Sequence, residues 1–479
     1  MPAASAVHSG VGFRSERGPV LAAVMLSTAL VAIDSTIIAT AVPSVVDDIG
    51  GFSQFPWLFS IYLLAQAVTV PVYGKLADLF GRKPVILWGI GVFLVGSVLC
   101  GFATSMAMLI VFRVVQGLGA GAIAPATVTI VGDLYTVEER AKVQGYVASV
   151  WGISSVVGPT LGGVFSEYVS WRWIFFVNLP LCVLAGWMIM RSYHERKTPS
   201  RPVIDYPGAV LLTAGLTLVI LGVLEGGQAW AWNSMASVGI LGAGVLLLGA
   251  FLLVERRSSE PVLPLWVFRR RLLVSSGVVS AGAGAVLLGL SSYVPTYAQV
   301  VIGVGPLVAG LALAALTLGW PMAASQSGRI YLRFGFRACA MTGSAIIVVG
   351  AALLLLLDGD TSVWQVGATS LVIGFGMGLT VSPTLIASQS SVGWQQRGVV
   401  TANNMFLRSM GSALGTAIFG AVANATLRGS DADPAKLVPA VHHVFIGVLA
   451  VAVVIAVAAA LLPRRAAPLV ERPAVAEPA

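Results

Sequence analysis

Charge is scarce in this 479-residue chain: Lys and Arg number 28 and Asp and Glu 20, together 10% of residues. Soluble domains carry about 25%. A soluble protein of this length could not cover its surface with so few charges. Cysteine is nearly absent. Cys100, Cys182 and Cys339 lie far apart in or beside apolar runs, which argues against a disulfide framework or a metal site. No HExxH occurs, so nothing supports an intramembrane metalloprotease, and no GxxxxGK[ST] phosphate loop is present, which argues against ATP-driven work. No polar stretch is long enough for a soluble catalytic or sensor domain. What is abundant is apolar: 57% hydrophobic residues and a mean hydropathy of +0.90. The 54 Gly and 24 Pro fit, because both are commoner in membrane helices than in soluble ones. The composition describes an all-α, polytopic membrane protein.

Apolar runs fall at about 19–42, 57–75, 84–104, 107–131, 142–165, 173–191, 207–225, 236–254, 273–298, 306–326, 338–357, 363–387, 399–425 and 439–462, each near the ~20 residues a bilayer requires. Fourteen spans put both termini on one side. Arg14 and Arg17 precede a long first run with no small-residue cleavage site, so that run reads as an uncleaved span. With the N-terminus cytoplasmic, all but five of the 28 Lys and Arg fall in inside segments or tails. Arg172, Arg428 and Lys436 fall outside, and Arg113 and Arg408 lie within spans. This bias sets the expected orientation. It also accounts for the net charge of +8 without nucleic acid as a partner: the cations face anionic cytoplasmic lipid. Arg far outnumbers Lys, and Ala, Val and Gly are abundant, which points weakly to a GC-rich bacterial gene.

A repeat is visible. Gly74-Lys-Leu-Ala-Asp78-Leu-Phe-Gly81-Arg82-Lys83 follows span 2, and Gly328-Arg-Ile-Tyr-Leu-Arg333-Phe-Gly335-Phe-Arg337 follows span 10. The copies match if spans 1–6 and 9–14 are parallel halves with two spans inserted between them. The expected organisation is a tail over 1–18, a six-helix half over 19–191, a linker over 192–272 holding spans 207–225 and 236–254, a second half over 273–462, and a tail over 463–479.

Five stretches carry chemistry. In the first loop Gly74 permits close helix approach and Gly81 a tight turn. Asp78 can cap a neighbouring helix N-terminus or pair with an arginine, latching the halves on the cytoplasmic side. An ordinary charged hairpin is the plainer alternative. Span 4 holds Arg113-Val-Val-Gln116-Gly117-Leu-Gly119, and an arginine inside lipid needs a partner, a watery cavity, or a snorkelling path to the interface. Span 5 holds Gly152 and Gly158-Pro159-Thr-Leu-Gly162-Gly163; Pro159 can bend the helix, and the glycines can serve as a packing face. Span 1 holds Asp34, the one acid clearly remote from a span end. A carboxylate in apolar surroundings resists ionisation unless paired, so Asp34 is either a proton carrier or a permanent structural partner. A central cavity has as candidate lining Thr36, Tyr62, Gln66, Gln116, Tyr293, Gln299, Asn403, Asn404, Met405, Phe406 and Arg408, Met and aromatics suiting an adaptable apolar pocket. Trp230 and Trp232 read as an outer aromatic belt, and His442 and His443 as interfacial residues.

The loop G-x-L-A-D-x-x-G-R-K resembles that of the major facilitator superfamily. The R-x-x-Q-G-x-G run, the G-P-x-x-G-G run, Trp171 through Pro180, Gly374 through Pro383 and Arg397 through Gly415 extend the likeness from about 20 to 465. The stretch around Asp34 resembles the fourteen-span drug:proton antiporters of the EmrB/QacA type, with Ala39 where that family often has Asn. Leu332 replaces the acid in the second loop, so any latch there must differ. The resemblance implies a major facilitator fold, proton coupling through Asp34 and Arg113, and an antiporter motif in Gly152, Gly158, Pro159, Gly162 and Gly163. The expected function is export of hydrophobic, neutral or monocationic compounds by alternating access. It would be driven by the proton gradient with no cofactor and no metal, from a monomer in a bacterial plasma membrane. A dedicated exporter of a lipid or self-made antibiotic, and a non-transporting receptor or scaffold, are the alternatives.

Overall fold

The computed structural model describes residues 11–50, 56–195, 205–226, 230–258, 261–358, 361–427 and 434–463. Most of both expected tails, the middle of the linker and the 428–433 loop lie outside the described residues, and with them Arg196, Lys197, Arg201, Arg428, Arg464, Arg465 and Arg472. Among the described residues there is no strand, only an isolated bridge between Gly226 and Trp230. The described residues form fifteen α-helices. The N-terminal half comprises α1 (Gly18–Ile49), α2 (Pro56–Phe80), α3 (Arg82–Gly101), α4 (Met106–Leu134), α5 (Val137–Tyr168), α6 (Trp173–Phe176) and α7 (Asn178–Ser192). Next come α8 (Tyr206–Glu225) and α9 (Met235–Glu255). The C-terminal half holds α10 (Arg271–Val300), α11 (Pro306–Phe334), α12 (Phe336–Leu354), α13 (Val363–Ser390), α14 (Arg397–Leu427) and α15 (Pro434–Ala460).

Every expected apolar run lies on a helix. Several helices outrun their apolar stretch: α5 starts at Val137, beneath a capping box in which Thr136 and Glu139 satisfy each other's backbone N–H. The sixth crossing is broken at Val177 into α6 and α7. Pro180 has no N–H to offer the Phe176 carbonyl, so the break is local chemistry. Among the described residues thirteen helices are long and apolar enough to cross a membrane by length and composition, and α14 is not among them. Arg397, Asn403, Asn404, Arg408, Ser409 and Ser412 dilute it. Polarity of that kind is tolerated in a helix walled by protein instead of lipid.

The two halves have separate cores, one around Leu30, Phe93, Ile123 and Ile189, the other around Leu290, Ile347, Met377 and Phe445. Their likeness reaches the backbone: Gly81 (φ 99°) and Gly335 (φ 88°) each join two helices through a single residue in a conformation that side chains disfavour. Helix α8 packs against both α2 and α14, so the inserted pair flanks one seam between the halves, with Leu216 and Ile220 set against Val68 and Phe406. The other seam, between α5 and α11, carries a groove of about 890 Å³ lined by Lys142, Tyr146, Ile153, Val156, Leu318 and Met322.

Alternation of helix direction puts the start of α1, the α2–α3 turn and the start of α14 at one end, here the Gly81 end. Among the described residues every side-chain hydrogen bond or ion pair joining the two halves lies at that end. At the opposite end Asp48 accepts from Arg172 Nη1 at 2.6 Å and Trp171 Nε1 at 3.0 Å, a pair confined to the N-terminal half.

Candidate functional site

Asp34 sits midway along α1 and is 1% exposed, as is Arg113 of α4. Arg113 Nη1 donates to Asp34 Oδ2 at 2.6 Å and to Gln116 Oε1 at 2.7 Å. Gln116 Nε2 donates to Asp34 Oδ1 at 2.6 Å and to Ser97 Oγ at 2.7 Å. Asn178 Nδ2 bridges the same two acceptors, Asp34 Oδ1 at 3.3 Å and Ser97 Oγ at 3.2 Å. Arg113 Nε reaches the Leu58 carbonyl at 3.2 Å, and its guanidinium lies 4.1 Å over the Tyr62 ring. Five helices therefore contribute to the network around the Asp34–Arg113 pair. Arg113 does not snorkel: its charge is matched inside the bundle, where an unmatched ion would be strongly disfavoured. The Tyr62 hydroxyl and Asn178 Oδ1 are sealed without a hydrogen-bond partner, polar capacity left open beside the pair.

The glycines of span 5 divide. A Cβ on Gly158 would collide with Thr36, and one on Gly162 would lie 2.4 Å from the Ile37 carbonyl or closer to Thr40, so both seat α5 against α1 beside Asp34. Gly152 instead looks toward Leu318 of α11, and Gly163 has open space before it. Helix α5 runs unbroken through position 159; the Pro159 side chain is outside the described residues. Gly162→Ala is expected to lower thermal stability by about 1–3 kcal/mol and transport with it, by overpacking. Gly163→Ala should behave as the parent. Melting of the two purified variants checks this, and equal melting would remove the distinction.

At the Gly81 end, Asp78 Oδ1 accepts from the Gly398 N–H at 3.0 Å and Oδ2 from the Val399 N–H at 2.8 Å. A carboxylate of the first half thus caps α14 of the second, where the helix dipole favours it. Arg82 holds Asp78 at 2.8 Å and Asp133 at 3.0 Å, donates to the Trp394 carbonyl at 2.6 Å, and stacks 3.8 Å over the Trp394 ring. Asp133 also takes Arg397 at 3.0 Å. Gly74 is needed here: a Cβ would strike Ala402 and lie 3.0 Å from the Gly398 carbonyl. Gly81 faces Glu195, whose carboxylate accepts the Arg82 N–H at 2.7 Å and the Lys83 N–H at 3.0 Å, capping α3. Lys83 Nζ donates to the Met190 carbonyl at 2.7 Å. Tyr193 nearby is pushed far above the ordinary phenol range, by burial first and then by the charges of Glu195 and Asp133, so it stays neutral. The second loop lacks an acid, and its contact is made otherwise: the Tyr331 hydroxyl donates to the Val137 carbonyl, and nearby Arg140 of α5 donates to Ser390 Oγ of α13.

Four candidate cavity residues lie elsewhere. Thr36 is spent between α1 and α5, donating to the Ser154 carbonyl at 3.0 Å. Phe406 is buried in the apolar seam with α2 and α8. Asn404 accepts from Ser276 at 2.8 Å and Ser280 at 2.9 Å, tying α14 to α10. Gln299 is exposed at the end of α10. Tyr62 and Gln116 belong to the Asp34 cluster. Tyr293 packs against the C-terminal core. Asn403 is buried with its Oδ1 unpartnered. Gln66 and Arg408 are partly buried, and Met405 packs against the apolar seam with α2 and α8. Sequence reasoning passed over Ser97, Asn178, Asp133, Glu195 and Arg397 as site residues. Asn178 had a signal, being a polar residue two before a proline in an apolar run; the others looked like ordinary small or terminal residues.

The profile of the Major Facilitator Superfamily matches residues 24–416. Multidrug resistance protein 3 of Bacillus subtilis (strain 168) is 34% identical over 84% of this chain and 79% of its own length. Multidrug transporter protein MdtP of the same organism is 33% identical over 89% of this chain and 79% of its own. Efflux pump dotC of Dothistroma septosporum (strain NZE10 / CBS 128990) is 31% identical over 82% and 69%. Among solved structures the human organic anion transporter MFSD10 (TETRAN) superposes with a TM-score of 0.67 at 16% identity, over 93% of this chain and 99% of that one. At that identity it speaks to the fold alone.

Proposed function

Because the chain belongs to the Major Facilitator Superfamily, we propose that this multi-pass membrane transporter is a fourteen-span, proton-coupled antiporter that exports hydrophobic compounds from a bacterial cell. The observation that carries this reading is the Asp34–Arg113 pair, a titratable carboxylate held 2.6 Å from a cation deep in the N-terminal half. Protonation of Asp34 breaks a charge pair that five helices share, which is a local event able to bias the packing of a whole half. The efflux and multidrug relatives support export. The Gly81 end, closed by Asp78, Arg82, Asp133 and Arg397, is read as cytoplasmic from its arginines, so the face held shut in this conformation is the cytoplasmic one. With Arg113 already holding Asp34, the one deep acid has little capacity to offset a second positive charge, so neutral or monocationic compounds remain the expected cargo over dications.

The test is reconstitution into vesicles containing a pH dye. Adding an exported hydrophobic dye to energised vesicles is expected to release protons in step with dye movement. Dye binding without proton movement would leave a receptor or scaffold; dye movement without it would sink coupling. Orientation is checked separately. The three native cysteines are buried, so labelling background is low. Ser362→Cys, exposed at the opposite end, should react with an impermeant maleimide on intact cells, whereas Ser258→Cys should react only after permeabilisation. The reverse pattern would invert the map.

A further inference from the structure

Arg408 makes no hydrogen bond and no ion pair among the described residues, although it is partly buried eleven residues into α14. At 1.5 Å per residue it stands about 16 Å from the start of the helix, too far for its side chain to reach that end. Its direction follows from what its neighbours touch. Gly398 and Ala402 pack on α2, while Asn404, Gly411 and Gly415 pack on α10. Leu414 and Ile418 are exposed between those stripes on the outer side. The Arg408 backbone and Ser412 meet Gly284 of α10, and the stripe left between the α10 and α2 faces, with Thr401, Met405 and the Arg408 side chain at helical spacing, borders the space between the halves. Thr401 on that stripe accepts from Gln389 of α13 at 2.9 Å.

The charges facing that space do not balance. Asp34 is matched by Arg113, Asp78 by Arg82 and the α14 amides, and Asp133 by Arg82 and Arg397. From Arg271 to Leu427 the only acids are Asp358 and Asp360, both between α12 and α13. Of the other helices packed against α14, α10, α13 and α15 carry no acid, and α8 carries only Glu225 at its far end. A cation left unmatched in a low-dielectric cavity is a standing electrostatic demand for an anion. We infer that Arg408 is the anion-recognising residue of the central cavity, and that the carrier takes apolar compounds bearing one negative group, a carboxylate or its equivalent. This rests on the reading of the cavity as a transport site for hydrophobic compounds. Met405, one turn before Arg408, packs at the edge of the apolar seam with α2 and α8 and offers its remaining exposed surface to the body of such a ligand.

Equilibrium binding needs no proton gradient, so this inference and proton-driven export can fail independently. The full-length protein in phosphatidylcholine nanodiscs is titrated with 1-pyrenebutyrate and with its uncharged amide. The parent is expected to bind the carboxylate about tenfold more tightly, the worth of one charge-assisted pair. Arg408→Gln should bring the two ligands within about twofold, and Arg408→Lys should keep most of the preference, since it keeps the point charge. Equal affinities in the parent would overturn the inference, whatever the variants do. So would a full carboxylate preference in Arg408→Gln. Repeating the titration with phosphatidylglycerol in the discs separates two sources of the anion: displacement of the carboxylate identifies a lipid headgroup, and its absence a free organic anion.

Discussion

Asp34→Asn is expected to abolish uphill export while leaving downhill exchange of substrate measurable. Asparagine keeps the shape and can still meet Gln116 and Asn178, but it cannot titrate. The carrier then loses the step in which a proton from the acidic side separates Asp34 from Arg113. Removing one member of a buried pair costs about 3–5 kcal/mol when the other is left charged. Arg113 is 1% exposed and has two further acceptors, the Leu58 carbonyl and Gln116 Oε1, so part of that cost is recovered. The double variant Asp34→Asn, Arg113→Gln removes both charges and controls for folding. With an imposed pH gradient, neither variant should concentrate a dye above the equilibrium level. If Asp34→Asn concentrates it as well as the parent does, Asp34 is a structural partner and coupling lies elsewhere.

The second large effect belongs to Asp78→Asn. Its carboxylate binds two backbone amides of α14 and the Arg82 guanidinium at once. Losing the charge should weaken the closed Gly81 end by about 2–3 kcal/mol, which shifts the closed-to-open ratio roughly a hundredfold. Transport should fall more than tenfold on the same arithmetic, because a carrier that rarely closes on one side rarely completes a cycle. Asp358→Asn, in the α12–α13 loop at the opposite end, should stay near the parent at equal expression. A cysteine at Ser390, under the Arg140 contact, reports the cause: Asp78→Asn should speed its labelling. Unchanged labelling with lost transport would put the defect in some other step.

Much of this arrangement was legible in the residues, for physical reasons that differ by element. Helices in lipid must be long and apolar, so their positions follow from composition, and the two-half plan follows from the Gly81 and Gly335 turns. An Asp and an Arg within apolar runs attract notice because each needs a partner, and the structure brings Asp34 and Arg113 together. The facing of the remaining side chains was not legible. In a soluble helix the apolar stripe marks the core; in lipid both the core and the outside are apolar, and that signal vanishes. Phe406 and Thr36 accordingly read as cavity candidates by residue type, while the structure packs one in the seam with α2 and α8 and ties the other to the Ser154 carbonyl. Asp133 with Arg397, and Glu195 with the start of α3, join positions 264 and 113 residues apart or nearly so, and nothing local announces them.

The inserted pair α8 and α9 breaks the equivalence of the two flanks. Leu212, Leu216 and Ile220 of α8 lock into side chains of both α2 and α14, while the α5–α11 flank keeps an open groove. In the plane of the membrane the two edges thus differ: one is filled by an inserted helix, the other is a direct α5–α11 packing with a furrow beside it. A rocking motion of the halves slides an interdigitated apolar surface on one edge and only reshapes a furrow on the other. In the cycle proposed above, the inserted pair therefore makes the two flanks mechanically inequivalent, α8 wedging one while α5 and α11 meet directly on the other.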